Sequence, residues 1–228
     1  MDKSENNSVV ETIEKEIEDL AHYTGSVPRW SFAVAVACIG VLLSVLSVNL
    51  KIAPGWIIFA IVIVLLLPWL VAVLNKHQTW TRRIAFTTIS VLTMGLITSA
   101  VFLVSALFRQ TESALDLFRD AIILWSTNII VFSVWYWEVD QGGPLKRHAN
   151  LPDAPDLLFP QMASSLETWK NWKPSFADYL FLAFNTSTAF SPTDTLVMSK
   201  RAKVLMMTQA AISLVIVAII AARAINIA

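Results

Sequence analysis

PSFADYLFLAFNTSTAFSPTDTLVMSKRAKVLMMTQAAISLVIVAIIAARAIN, residues 174–226, decides how this chain folds. Its first apolar piece, Phe176 to Phe190, is 15 residues long. A spanning helix needs roughly 20 residues at a rise of about 1.5 Å each. The piece ends among the hydroxyls Thr186, Ser187, Thr188 and Ser191, and is followed by Pro192, Asp194 and the basic group Lys200, Arg201 and Lys203. A long apolar run then closes the chain. Irregular polar backbone at membrane depth is tolerated only against protein or a water-filled cavity. The pattern therefore predicts a short helix that enters the bilayer without crossing it, a non-helical elbow over Thr186–Asp194, and a full final span.

Composition sets the class around that segment. Of 228 residues, 56% are hydrophobic and 15% charged, and the mean hydropathy is +0.61. These values fit a polytopic membrane protein and exclude an ordinary soluble domain. Nine tryptophans suit interfacial anchoring. Net charge is zero, yet residues 1–29 hold the acids Asp2, Glu5, Glu11, Glu14, Glu16, Glu18 and Asp19 against Lys3, Lys15 and Arg29. That acidity argues against a nucleic-acid partner. Cys38, the one cysteine, lies in an apolar run, allows no internal disulfide and reads as a small packing residue. The long acidic start does not read as a signal peptide, so the first apolar run is expected to be a retained span.

The domain pattern follows from the apolar runs. Residues 1–29 form an acidic segment. Within it, Val10, Ile13, Ile17 and Leu20 at helical spacing suggest a short amphipathic helix, with a solvated tail as the equal alternative. Residues 30–139 hold four runs long enough to span: Trp30–Leu50, Pro54–Leu74, Ile84–Phe108 and Leu117–Val139. The first two are joined by Lys51-Ile52-Ala53 alone, a tight hairpin, and Pro68 predicts a kink in the second. Hydroxyl and small residues in the third favour helix packing over a ligand role. Residues 140–175 read as a surface loop with Trp169 and Trp172 along the membrane, and 176–228 as a pore-like module. The fold class is all-α membrane protein, with about five transmembrane helices plus a re-entrant segment, or six spans if Phe176–Asp194 crosses.

Lys and Arg give an orientation. With five spans and the N-terminus inside, the inner side holds Lys3, Lys15, Arg29, Lys76, Arg82, Arg83, Lys146, Arg147, Lys170, Lys173, Lys200, Arg201 and Lys203, and the outer side Lys51, Arg109 and Arg119. The positive-inside rule favours this arrangement. Six spans move Lys200, Arg201 and Lys203 outside and keep the same orientation with a weaker bias. A cytoplasmic N-terminus follows, and the short segment would enter from the cytoplasm.

Several residues are candidates for a site. Ser175-Phe-Ala-Asp178 matches the S-x-x-D capping box, with Asp178 beside the positive helix end. The segment from Asn185 to Asp194 resembles, in layout, the pore module of the potassium-channel superfamily: pore helix, filter, basic linker, inner helix. Setting Phe190 on the filter tyrosine places Ser187 on its threonine, and Ala189 and Ser191 on its two glycines, with Asp194 arriving late. Without glycine a ladder of inward carbonyls is disfavoured, because Ala and Ser in a left-handed conformation lose about 1–2 kcal/mol. The resemblance then implies a hydroxyl-lined constriction from Thr186, Ser187 and Thr188, with Asp194 as an acidic ring. The competing interpretation is a broken helix whose hydroxyls cap its own carbonyls. Intramembrane Asn128 and Gln209 read as interhelical glue, and Arg223 as a snorkelling or acid-paired cation.

The chain as a whole also resembles a family of uncharacterised bacterial integral membrane proteins, through Trp135-Tyr136-Trp137-Glu138-Val139-Asp140, Gly142-Gly143-Pro144, Phe159-Pro160-Gln161-Met162 and Ala189-Phe190-Ser191-Pro192-Thr193-Asp194-Thr195. That likeness implies a bacterial inner-membrane location and supplies no activity. His22, His77 and His148 are scattered, and no H-E-x-x-H, G-x-S-x-G, Gly-rich phosphate loop or Cys/His metal spacing is present. No enzyme activity, cofactor or metal is expected. The sequence thus points to a homo-oligomer, a tetramer by layout, in the lipid bilayer, passing small monovalent cations with weak selectivity. A non-conducting scaffold or partner-binding subunit is the second reading. A small transporter is the third, although only one broken helix is visible where transporters tend to pair two.

Overall fold

The computed structural model describes residues 30–46, 54–75, 77–109, 113–148, 153–192 and 194–227. The amphipathic helix expected over 8–22 and the Lys51-Ile52-Ala53 connection lie outside the described residues, as does the side chain of Arg223. The element order is α1 (Trp30–Val45), α2 (Gly55–Leu74), α3 (Gln78–Arg109), α4 (Ala114–Val139), a 3-10 turn (Asp140–Gly142), α5 (Pro144–His148), β1 (Leu157–Leu158), α6 (Pro160–Ala163), a second 3-10 turn (Glu167–Trp169), α7 (Phe176–Thr188), β2 (Leu196–Val197) and α8 (Lys200–Ile227). Among the described residues, four helices are long and apolar enough to cross a membrane: Gly55–Leu74, Thr79–Arg109, Ala114–Gly142 and Lys200–Ala222. Shorter apolar helices accompany them, and the chain is mainly helical, consistent with an all-α membrane protein.

Local chemistry accounts for these elements. The Ser113 hydroxyl accepts the Asp116 amide at 3.1 Å and caps α4. Hydroxyls do not break α3, because Thr93 and Thr98 donate to the carbonyls of Ile89 and Met94 at 2.7 and 2.8 Å. Pro68 sits inside α2, which runs unbroken past it.

Helix α4 is central. It packs on α1, α3, α7 and α8 and buries the largest share of its span among the four candidate crossings. Helices α3 and α8 run antiparallel to it. Trp135 Nε1 donates to Thr93 Oγ1 of α3 at 2.9 Å, while Arg82 of α3 reaches the neighbourhood of Gly143. Asn128 meets Ser213 of α8 and Tyr136 meets Gln209. The first pair, α1 and α2, closes on a small residue: a Cβ at Gly40 would stand 2.7 Å from Val62 Cγ2. Phe32 and Trp69 stack with centroids 4.8 Å apart.

The first part of the expected surface loop, up to Phe159, is largely packed in, whereas most of residues 161–175 lie at the surface. After α4 the chain turns through Gln141 (φ 52°), Gly142 (φ 77°) and Gly143 (φ 97°) and folds against the helix end. Asp140, Gln141, Arg147, Asp156, Leu157 and Phe159 are buried. Strands β1 and β2 pair antiparallel, Leu157 with Val197 and Leu158 with Leu196. The outcome is a small platform at one end of the helices, not a strap over them. Periodicity missed it because its packing is built by isolated buried residues between turns.

Candidate functional site

The short apolar segment forms α7, 13 residues from Phe176 to Thr188, about 20 Å long. Its start is capped. The Ser175 amide and hydroxyl both donate to Asp178 Oδ2 at 2.7 Å, and the capping-box geometry is present. Asp178 therefore serves the helix end, where a carboxylate also favours the positive dipole. One turn in, Tyr179 is buried and donates its hydroxyl to Asp140 Oδ2 at 2.6 Å, which ties α7 to the platform.

The far end of α7 corrects the expected elbow. Thr186, Ser187 and Thr188 are helical, the helix cap Ala189 still keeps right-handed helical dihedrals (φ −94°, ψ −4°), and non-helical backbone begins at Phe190. Thr186 Oγ1 donates to the Leu182 carbonyl at 2.8 Å, and Thr188 Oγ1 to the Phe184 carbonyl at 3.0 Å. Hydroxyls bonded back along the helix leave it intact, so the polar run extends the helix that it was expected to end. What ends it is a left-handed residue. The Ala189 amide bonds the Asn185 carbonyl at 2.8 Å, and Phe190 then takes φ 53°. This is the position after a helix where glycine is usual.

The expected constriction residues part company. Thr186 and Ser187 are buried among the protein's own helices, whereas Thr188, Ala189, Phe190 and Asp194 are exposed and Ser191 is half-buried. Ser187 Oγ accepts Gln209 Nε2 at 2.8 Å.

Gln209 is the centre of a buried polar group joining three helices. Its Nε2 also donates to the Ala183 carbonyl of α7 at 2.7 Å. Its Oε1 accepts the Tyr136 hydroxyl of α4, and its carbonyl accepts Asn128 Nδ2 at 3.2 Å. Asn128 Nδ2 also reaches Ser213 Oγ at 2.8 Å. All of Asn128, Tyr136, Ser187, Gln209 and Ser213 are buried. The pairing of Asn128 with Gln209 was not visible in the sequence, and Tyr136 and Ser213 were missed. Their signal is helical spacing: Ser213 follows Gln209 by one turn, and Tyr136 lies two turns beyond Asn128.

Beyond Phe190 the chain returns to the platform it left. Strand β2 pairs with β1, the Met198 amide bonds the Asp156 carbonyl at 2.8 Å, and Arg201 grips Asp156 through Nε and Nη2 at 2.6 and 2.5 Å. Burial pushes the Asp156 carboxyl up, but the Arg201 and Ser199 hydrogen bonds and the Arg201 charge outweigh it and hold its pKa below the usual value. The platform's centre is Asp140, whose Oδ1 accepts the amides of Asp156 and Leu157 at 2.9 and 3.1 Å. Arg147, buried beside it, donates Nη1 to the carbonyls of Trp137 and Asp140 at 2.9 and 2.7 Å. Its Cζ lies 4.5 and 5.1 Å from the ring centres of Trp137 and Tyr179, which is cation–π range.

Helix α7 thus starts at the platform, runs inward to the level of Gln209, nine residues into α8, and hands the chain back to the platform. Among the described residues no group of three or more His, Cys, Asp or Glu stands close enough to hold a metal. No family model, curated protein or solved structure matches this chain.

Proposed function

We propose that α4, α7, the elbow 189–199 and α8 form the pore module of an oligomeric, channel-like membrane protein that conducts small cations with weak selectivity. One observation carries the reading: α7 is too short to cross, and the chain on both of its sides is tied to the same platform. A helix that enters and returns on one side needs protein or water around its tip. Its C-terminal dipole end there favours a cation. On this reading the chain makes five crossings, with α7 re-entrant, in a bacterial inner membrane. The Lys and Arg distribution supports a cytoplasmic side for the platform and the N-terminus.

The constriction proposed is narrower than the hydroxyl run. Thr188, Ala189, Phe190 and Ser191 line it, with Asp194 at its mouth, whereas Thr186 and Ser187 hold the helix in place. Left-handed Phe190 supports this assignment, since strained non-glycine backbone clusters at functional sites. The test is cation flux into liposomes carrying the purified protein. Voltage- or gradient-driven flux that Thr188→Ala alters in selectivity supports the channel. A tip sealed within each protomer, with no axial cavity in the assembled oligomer, overturns it.

A second reading has its own support. Ser187, expected to line a constriction, is occupied by Gln209 inside the protomer. That favours a non-conducting scaffold or partner-binding subunit in which the half-helix only packs.

A further inference from the structure

We infer that Gln209 is the positioning residue of the elbow: it sets the depth and rotation of α7 against α8 and passes displacements of α8 to Ala189 and Phe190. The inference rests on the elbow being the working end, as proposed above, and not on its conducting ions. The geometry is specific. Gln209 Nε2 contacts the carbonyl of Ala183 and the hydroxyl of Ser187, one turn apart on α7. A slip of one residue along the helix, about 1.5 Å and 100°, breaks both contacts. The amide cannot simply follow α7, because its oxygen is held by Tyr136 of α4 and its backbone carbonyl by Asn128. Tyr136, Asn128, Ser187 and Gln209 are buried inside the protomer, where lost partners are costly to leave unreplaced, so the contact selects one register instead of a continuum. Ser187 stands two residues before the helix cap, Ala189, and the left-handed turn at Phe190 follows directly. The register at Ser187 therefore sets where the elbow begins.

The test uses the full chain in liposomes on a Cys38→Ala background, with a reporter thiol from Phe190→Cys and a control thiol from Leu115→Cys at the opposite end of α4. The readout is the rate of reaction with a small water-soluble maleimide. Gln209→Met, which keeps the shape and removes the hydrogen bonds, should change the reporter rate about fivefold, the equilibrium shift equivalent to about 1 kcal/mol. Ser187→Ala should shift it in the same direction, and the double variant should go no further than Gln209→Met. Gln209→Asn, one methylene short, should not rescue the rate. Where Gln209→Met fails to fold, Ser187→Ala carries the test alone. An unchanged reporter rate in a folded variant overturns the inference, and so does an equal change at the control thiol, which would mean general loosening. Potassium flux on matched proteins that keep Phe190 separates the two claims. A reporter shift in proteins that never conduct keeps the positioning role and removes the channel. Wild-type conduction with an unmoved reporter does the reverse.

Discussion

At the scale of single residues, two left-handed positions carry opposite risks. Gly143 has φ 97° and ψ 172°, a region that only glycine occupies freely, and an added Cβ would stand 3.3 Å from the Glu138 carbonyl. Gly143→Ala should lower stability by about 1–3 kcal/mol, measured as a fall in unfolding temperature in detergent. Phe190 shows the reverse mismatch: φ 53° on a bulky side chain that is half-exposed. Phe190→Gly should raise stability by about 1 kcal/mol, because the strain of the left-handed conformation is removed. If Phe190 helps line a constriction, the same variant should loosen ion selectivity. A stabilised protein with unaltered flux would leave Phe190 as a helix stop only. Neither side-chain partner of Gln209 could be read from sequence, because Tyr136 and Ser187 lie 73 and 22 residues away from it. Asn128 and Gln209 did stand out, since an amide in an apolar run needs a partner.

At the scale of elements, the sequence predicted that a short helix follows Ser175 but misplaced where it ends. Its start is a local signal, a serine and an acid three residues apart that satisfy each other. Its end depends on competition. Hydroxyls bond equally well back along a helix or out of it, and here Thr186 and Thr188 bond back. The platform was illegible for a different reason: β1 and β2 have two residues each, below any periodic signal, and the ion pair that flanks them joins Asp156 and Arg201, 45 residues apart in sequence. That pair yields a prediction. The folded pKa of Asp156 is depressed, so its stabilisation is present above the unfolded pKa of about 4 and is lost as pH falls through the lower folded value. Arg201 is half-exposed, which limits the effect to about 1 kcal/mol. Asp156→Asn should lower the unfolding temperature at neutral pH and flatten its decline in acid. An unchanged acid profile would mean that the clamp adds nothing beyond its hydrogen-bond geometry.

At the scale of the whole molecule, apolar length carried most of what was legible, namely a mainly helical chain with several helices long and apolar enough to cross a membrane. Orientation and function depend on what surrounds it. The proposed topology places Asn7 and the segment around Gln78 on the cytoplasmic side. Single cysteines at those positions in intact cells should resist an impermeant thiol reagent, and labelling of both would invert the topology. Asp194 then tests the pore itself. It is exposed, lies on the stretch that returns to the platform, and in a symmetric oligomer its copies would stand around one mouth. Charges so placed raise the local cation concentration, and salt screens them with a Debye length of about 10 Å at 0.1 M, against about 30 Å at 0.01 M. Asp194→Asn should therefore reduce cation conductance in planar bilayers severalfold at low salt, with the difference shrinking as salt rises. A deficit that is the same at every ionic strength would place Asp194 in the fold of the elbow, and conductance equal to wild type at low salt would remove the acidic mouth from the proposal. The salt dependence is what discriminates, because a structural defect in the elbow has no reason to heal when counterions are added.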